Sequence, residues 1–145
     1  MTKDEVKREY KEMEGSAEIK QAQRQFRDEI LNGPDPAQAA KRANVVVTNP
    51  THLAVGIRFK AEEAPLPRIC ALGSGPIAKI IRETALAEGI PIMENVPLAR
   101  GLYAKGRVEE FIPEDFLEPV AEVLKWAKRL EDARKEEAEL DSVSL

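Results

Sequence analysis

Val45-Val46-Val47-Thr48 leads into Asn49-Pro50-Thr51-His52, and beyond it Leu53, Val55, Ile57 and Phe59 alternate with Ala54, Gly56 and Arg58. Three valines in a row mark a strand buried on both faces, and the alternation marks a second strand. Two strands therefore flank the tetrapeptide. Proline at the second position of a four-residue turn presets φ, and its ring pushes the preceding Asn49 into an extended conformation. A β-turn between the two strands accounts for the composition of the tetrapeptide, as it does for most Asn-Pro pairs.

The rest of the chain supplies the other parts of a layered domain. Residues 68–72 read as a third short strand. Gly73-Ser74-Gly75-Pro76 then opens a helix bearing Ile77, Ile80, Ile81 and Ala85, which stops at Gly89. Residues 90–93 supply a fourth strand. Strand, helix and strand at this spacing imply a right-handed parallel crossover, and so a mixed sheet covered by helices. Asn95 caps a short helix through Pro97, Leu98 and Tyr103 that ends near Gly106, and a short turn follows Pro113. Pro119 suits the first turn of a last helix striped by Val120, Val123, Leu124, Ala127 and Leu130, with Trp126 beside it.

The N-terminal part has a different character. From Lys3 to about Leu31 it is rich in Glu, Lys, Arg and Gln, and Val6, Tyr10, Met13 and Ala17 form a thin helical stripe that Gly15-Ser16 kinks or splits. With so little apolar surface it reads as a solvated linker helix. Asn32-Gly33-Pro34-Asp35-Pro36 breaks it, and Asp35 caps a short turn beyond. The expected fold is α/β, a small mixed central sheet of about four strands surrounded by helices, with an N-terminal linker helix. We divide the chain into a charged linker at 1–33, an α/β domain at 34–130 and an acidic tail at 131–145 that frays.

Composition closes several functional classes. With 22 Lys plus Arg against 26 Asp plus Glu the net charge is −4, which argues against a module held by nucleic-acid phosphates. No apolar run approaches the roughly 20 residues that cross a bilayer. One cysteine, Cys70, excludes an internal disulfide, and with His52 the only histidine the usual tetrahedral zinc sets cannot be assembled. No metal or cofactor is expected. Gly73-Ser74-Gly75 can cradle a phosphate or simply turn a strand into a helix, and the second reading is favoured because Pro76 removes a donor. Cys70, between Ile69 and Ala71, reads as inert core filling. Arg100 is either a partner anchor or a local helix cap.

Asn49-Pro50 differs from these because its chemistry can be derived. Ordinary asparagine deamidation needs the next backbone nitrogen as nucleophile, and in Pro50 that nitrogen carries no hydrogen. The reverse attack stays open. The Asn49 side-chain nitrogen can reach its own main-chain carbonyl carbon, close a five-membered succinimide and expel the Pro50 nitrogen. An amide is a feeble nucleophile, so the fold must hold it near the attack distance of roughly 3–3.5 Å, where orientation lowers a barrier by about 7–11 kcal/mol. His52 can take or return the proton through either ring nitrogen, or it can brace the turn. Thr51 can orient the carbonyl or the imidazole.

Residues 45–57, Val-Val-Val-Thr-Asn-Pro-Thr-His-Leu-Ala-Val-Gly-Ile, closely resemble the cleavage segment of the FlhB/YscU family, the autocleaving export-switch proteins of type III secretion systems. Glu5-Val6-Lys7-Arg8-Glu9, Glu14-Gly15-Ser16 and Ile19-Lys20 resemble the family's membrane-proximal linker. Gly89-Ile90-Pro91-Ile92-Met93-Glu94-Asn95 and Pro97-Leu98-Ala99-Arg100 resemble its later core motif. Val123-Leu124-Lys125-Trp126 is nearer the virulence-injectisome branch than the flagellar one. The resemblance implies a domain at the cytoplasmic face of the bacterial inner membrane, in a parent with an N-terminal transmembrane region. It implies one cut at Asn49–Pro50, fragments that stay associated, and a switch in export substrate class. Implied partners are other export-apparatus proteins, export substrates and a needle-length regulator. Such a chain is a single-turnover intramolecular autoprotease, not a turnover enzyme. The alternative is a non-cleaving docking module in which Asn49-Pro50-Thr51-His52 is a binding loop.

Overall fold

The computed structural model describes residues 19–24, 27, 33, 35–50 and 52–143. The chain divides into two compact units, Met1–Pro34 and Asp35–Leu145. In the first, residues 19–24 and 27 are helical. The rest of the expected linker helix, including Val6, Tyr10, Met13 and Ala17, lies outside the described residues.

The second unit is the α/β fold that the sequence patterning implies, a four-stranded mixed sheet between helices. Its strands are β1 (Val45–Asn49), β2 (Leu53–Arg58), β3 (Arg68–Ser74) and β4 (Ile92–Glu94), in spatial order β3-β2-β1-β4. β1 pairs antiparallel with β2, Val47 opposite Val55, and parallel with β4, Val47 opposite Met93. β2 pairs antiparallel with β3. The valine run explains the central place of β1, because a strand whose valines are all fully buried needs a neighbour on each side. β4 therefore returns beside β1 and not beside β3, although β3 and β4 point the same way at opposite edges.

Four helices cover the sheet, α1 (Pro36–Lys41), α2 (Gly75–Ala87), α3 (Val96–Lys105) and α4 (Leu117–Val143), with a 3-10 turn at Glu114–Phe116. The pleat sends successive β1 side chains to opposite faces. Val45 and Val47, with Val55 and Ile57, pack against Leu98, Ala99 and Leu102 of α3 and Val120, Val123 and Ala127 of α4. Val46 and Ala54 pack instead with Ala39 and Ala40 of α1 and Ile77, Ala78 and Ile81 of α2. β1 thus lies at the centre of both cores.

Several boundaries move. β3 runs on to Ser74, so Gly73 and Ser74 belong to the sheet, because they find partners in Ala54 and Leu53. Helix α4 continues past Leu130 to Val143, through the segment expected to fray. Lys135 pairs with Glu131 one turn back at 3.4 Å, and Arg134 Nη1 donates to the Gly89 carbonyl at 3.0 Å. Glu63 closes the loop between β2 and β3, accepting bonds of 2.8 and 2.6 Å from Arg58. That side-chain hydrogen bond holds the Glu63 carboxyl below the usual carboxylate range.

Candidate functional site at the Asn49–Pro50 turn

Asn49 is the last residue of β1, buried at 8% relative exposure, with Leu53 directly opposite on β2. The His52 backbone N–H donates to the Asn49 carbonyl oxygen at 3.0 Å and closes the expected four-residue turn. A donor aimed at a carbonyl oxygen stabilises negative charge that develops there. Pro50 is half-buried, the His52 side chain is exposed, and Thr51 lies outside the described residues.

Both flanks of the turn are tied down. The Asn95 N–H donates to the Thr48 carbonyl at 3.0 Å, just before Asn49, and the Gly75 N–H donates to the His52 carbonyl at 3.0 Å, just after the turn. Gly75 sits at φ +54, a conformation that glycine adopts without strain. A Cβ on Gly73 would overlap the Ile77 side chain, so this residue must be small for α2 to pack where it does. Gly73-Ser74-Gly75 is therefore a tight strand-to-helix junction, and its last N–H is occupied by the His52 carbonyl of the Asn49–Pro50 turn and not by an anion.

Cross-strand partners share a face of the sheet, so the pairings of Asn49 with Leu53 and of Leu53 with Ser74 place the three side chains in one row. That row continues the face of Val47 and Val55, which α3 covers. From α3 the Tyr103 hydroxyl donates to Ser74 Oγ at 3.3 Å. Arg100, also on α3, is exposed. Reading the sequence for side-chain chemistry singles out the His52 imidazole but misses its N–H, and misses the N–H groups of Asn95 and Gly75. The capping pattern at Asn95 was the one available signal.

Cys70 is buried, and desolvation pushes its thiol up from 9.0 to about 11. The folded state thus keeps this proton longer than the unfolded chain. Its contribution to stability is complete below about pH 9 and is lost as the pH rises through about 11. At about pH 8 the folded chain should resist thiol alkylation and the denatured chain should not, as the mass of the labelled product would show. Among the described residues no cluster of three or more His, Cys, Asp and Glu is placed to hold a metal ion.

The fold and site define a small α/β domain that offers one Asn-Pro peptide bond at the tip of a hairpin pinned on both sides. A family described as "FlhB HrpN YscU SpaS Family" matches residues 1–127. The chain belongs to this family. It is 45% identical over 140 residues to the Yop proteins translocation protein U of Yersinia pestis, a match covering 97% of this chain and 39% of that protein. The chain thus spans about two-fifths of that relative's length. The cytoplasmic domain of FlhB from Shewanella putrefaciens is similar in structure, with a TM-score of 0.66 and 31% identity, over 70% of this chain and 78% of that one. A solved EscU C-terminal domain gives a TM-score of 0.62 and 38% identity, over 64% of this chain and 99% of that one. Solved EscU domains include forms with an Asn changed to Asp or Ala, and with the Pro that follows it changed to Ala. Relatives of the chain are components of secretion and export apparatus. Among the described residues no helix is long and apolar enough to cross a membrane.

Proposed function

We propose that this chain is the cytoplasmic part of a type III export-apparatus protein that cuts itself once, between Asn49 and Pro50, and so switches the class of substrate exported. The observation that carries the reading is the pinned turn, in which the Asn49 carbonyl accepts the His52 N–H while Thr48 and His52 are held by Asn95 and Gly75. The Asn49 side-chain nitrogen attacks its own carbonyl carbon, and the oxyanion gathers on the oxygen that His52 N–H already bonds. Collapse breaks the bond to Pro50. The proton lost by the amide ends on the Pro50 nitrogen, leaving a succinimide at residue 49 and a free secondary amine at residue 50. Water opens the imide afterwards. Pro50 has no N–H, so the competing deamidation is closed, and the tied flanks supply the orientation that a feeble nucleophile needs.

The His52 imidazole, exposed at the turn, carries the proton, and Thr51 positions the reacting groups. Cutting frees the two ends of the turn, and the surface from Pro50 to Leu53 rearranges to present a new face. Its partners are the other export-apparatus proteins, export substrates and a needle-length regulator, met at the cytoplasmic face of the inner membrane. Denaturing mass measurement of purified protein tests the reading. Pieces of 49 and 96 residues support it, and a single full-mass species overturns it in favour of an intact docking module.

His52→Ala separates the two groups that this residue offers. The backbone N–H survives the substitution, so cleavage should slow roughly ten- to hundredfold without stopping. A rate equal to that of the unaltered chain would remove the imidazole from proton transfer and leave the backbone donor as the residue's contribution.

A further inference from the structure

We propose that Asn95 is a positioning residue for the Asn49–Pro50 cleavage, acting as a brace that transmits the rigidity of helix α3 to the scissile turn; this rests on the cleavage reading above. The backbone of Asn49 is set by the two peptide planes that flank it. The plane after Asn49 is fixed through its carbonyl oxygen, which takes the His52 N–H at 3.0 Å. The plane before it is fixed through the Thr48 carbonyl oxygen, which takes the Asn95 N–H at 3.0 Å. With both planes held, φ and ψ of Asn49 are held, and those two angles with χ1 decide whether the carboxamide nitrogen stands over its own carbonyl carbon.

Asn95 is itself immobilised by three bonds. Besides donating to Thr48, its side-chain oxygen accepts the Leu98 N–H at 3.2 Å as the N-cap of α3, and its carbonyl accepts the Ala99 N–H at 2.9 Å. Leu98, Ala99 and Leu102 anchor that helix in the core beneath Val47 and Val55. At its other end Tyr103 holds Ser74, the cross-strand partner of Leu53. Helix α3 therefore ties the first arm of the hairpin directly and meets the second only through Ser74 of β3, next to the Gly75 that bonds His52, and the Asn95 side chain orients the N–H that reaches the arm carrying the nucleophile. A cap alone would stabilise α3 without touching the chemistry.

Asp35 offers the matching control. It caps α1 in the same way, its side chain accepting the Ala37 N–H at 3.0 Å, and α1 lies on the other face of the sheet. The experiment follows the fraction cut against time after cell-free synthesis. Asn95→Ala should cleave roughly three- to tenfold more slowly than the unaltered chain, the size expected for one lost cap expressed in a rate. Asn95→Ser, which restores a capping oxygen, should recover the rate, and Asp35→Ala should cleave at the original rate while losing comparable thermal stability. Asn95→Gly loses the oxygen at little cost in stability and reads the brace where the alanine variant does not fold. A full rate in Asn95→Gly, equal slowing by Asp35→Ala, or no recovery with serine overturns the proposal. An unaltered chain that never cuts overturns the cleavage reading instead. The brace is then read in amide exchange at His52 in the uncut Asn49→Ala background. Faster exchange on adding Asn95→Ala than on adding Asp35→Ala supports it, and equal exchange overturns it.

Discussion

Asn49→Ala leaves a chain that folds and stays in one piece. On the proposed mechanism the substitution removes the attacking nitrogen and keeps the carbonyl it would attack, Pro50 and every backbone bond of the turn, so chemistry stops where geometry does not. Asn49 ends its strand, outside both apolar clusters, and the change should cost no more than about 2 kcal/mol. The unaltered chain should give pieces of 49 and 96 residues under denaturing conditions. Their masses carry a second signature. Cyclisation consumes no water, so fresh fragments sum to the mass of the intact chain, and the sum grows by one water as the succinimide opens. Direct hydrolysis by an external protease would add that water at the moment of cutting. Fragments from Asn49→Ala, or fragments that carry the water from the start, contradict self-cyclisation.

The hairpin was legible because its signals are local. Val45-Val46-Val47 declares burial on two faces, Pro50 declares the turn, and Leu53 to Phe59 declares the partner strand. The stop of α2 at Gly89, where φ is +69, and the cap at Asn95 are equally local. The return of β4 beside β1 was not legible, because strand order is decided by which strand must be covered on both edges, a property of the assembled sheet. Nor was the length of α4, where single exposed pairs such as Glu131–Lys135 are each worth only a few tenths of a kcal/mol. At the site the same division holds. Asn49, Pro50 and His52 come together as their adjacency requires, but the groups that pin them, the N–H of Gly75 and of Asn95, belong to the main chain and lie tens of residues away. Residue type says almost nothing about such donors.

Val47→Asp should abolish cleavage although it leaves Asn49-Pro50-Thr51-His52 untouched. Val45, Val46 and Val47 are fully buried, and each contributes at most about 1.5–3 kcal/mol by leaving water. They sit in ladders with β2 on one side and β4 on the other, so after a cut the piece ending at Asn49 remains a central strand of the sheet. The two fragments of the unaltered chain should therefore co-elute in native gel filtration and part only in denaturant. An aspartate at position 47 faces Leu98, Ala99 and Leu102 with Val55 and Met93 as strand neighbours, and burying its charge there costs several kcal/mol, a large part of a small domain's whole stability. The sheet does not close and the turn is no longer pinned. If the bond between Asn49 and Pro50 breaks at the unaltered rate in this variant, with the loss of fold verified by circular dichroism, then the tetrapeptide needs no scaffold. If the chain stays whole, the orientation supplied by β1, the His52 N–H and the two flanking ties is what converts an ordinary Asn-Pro pair into a reactive one.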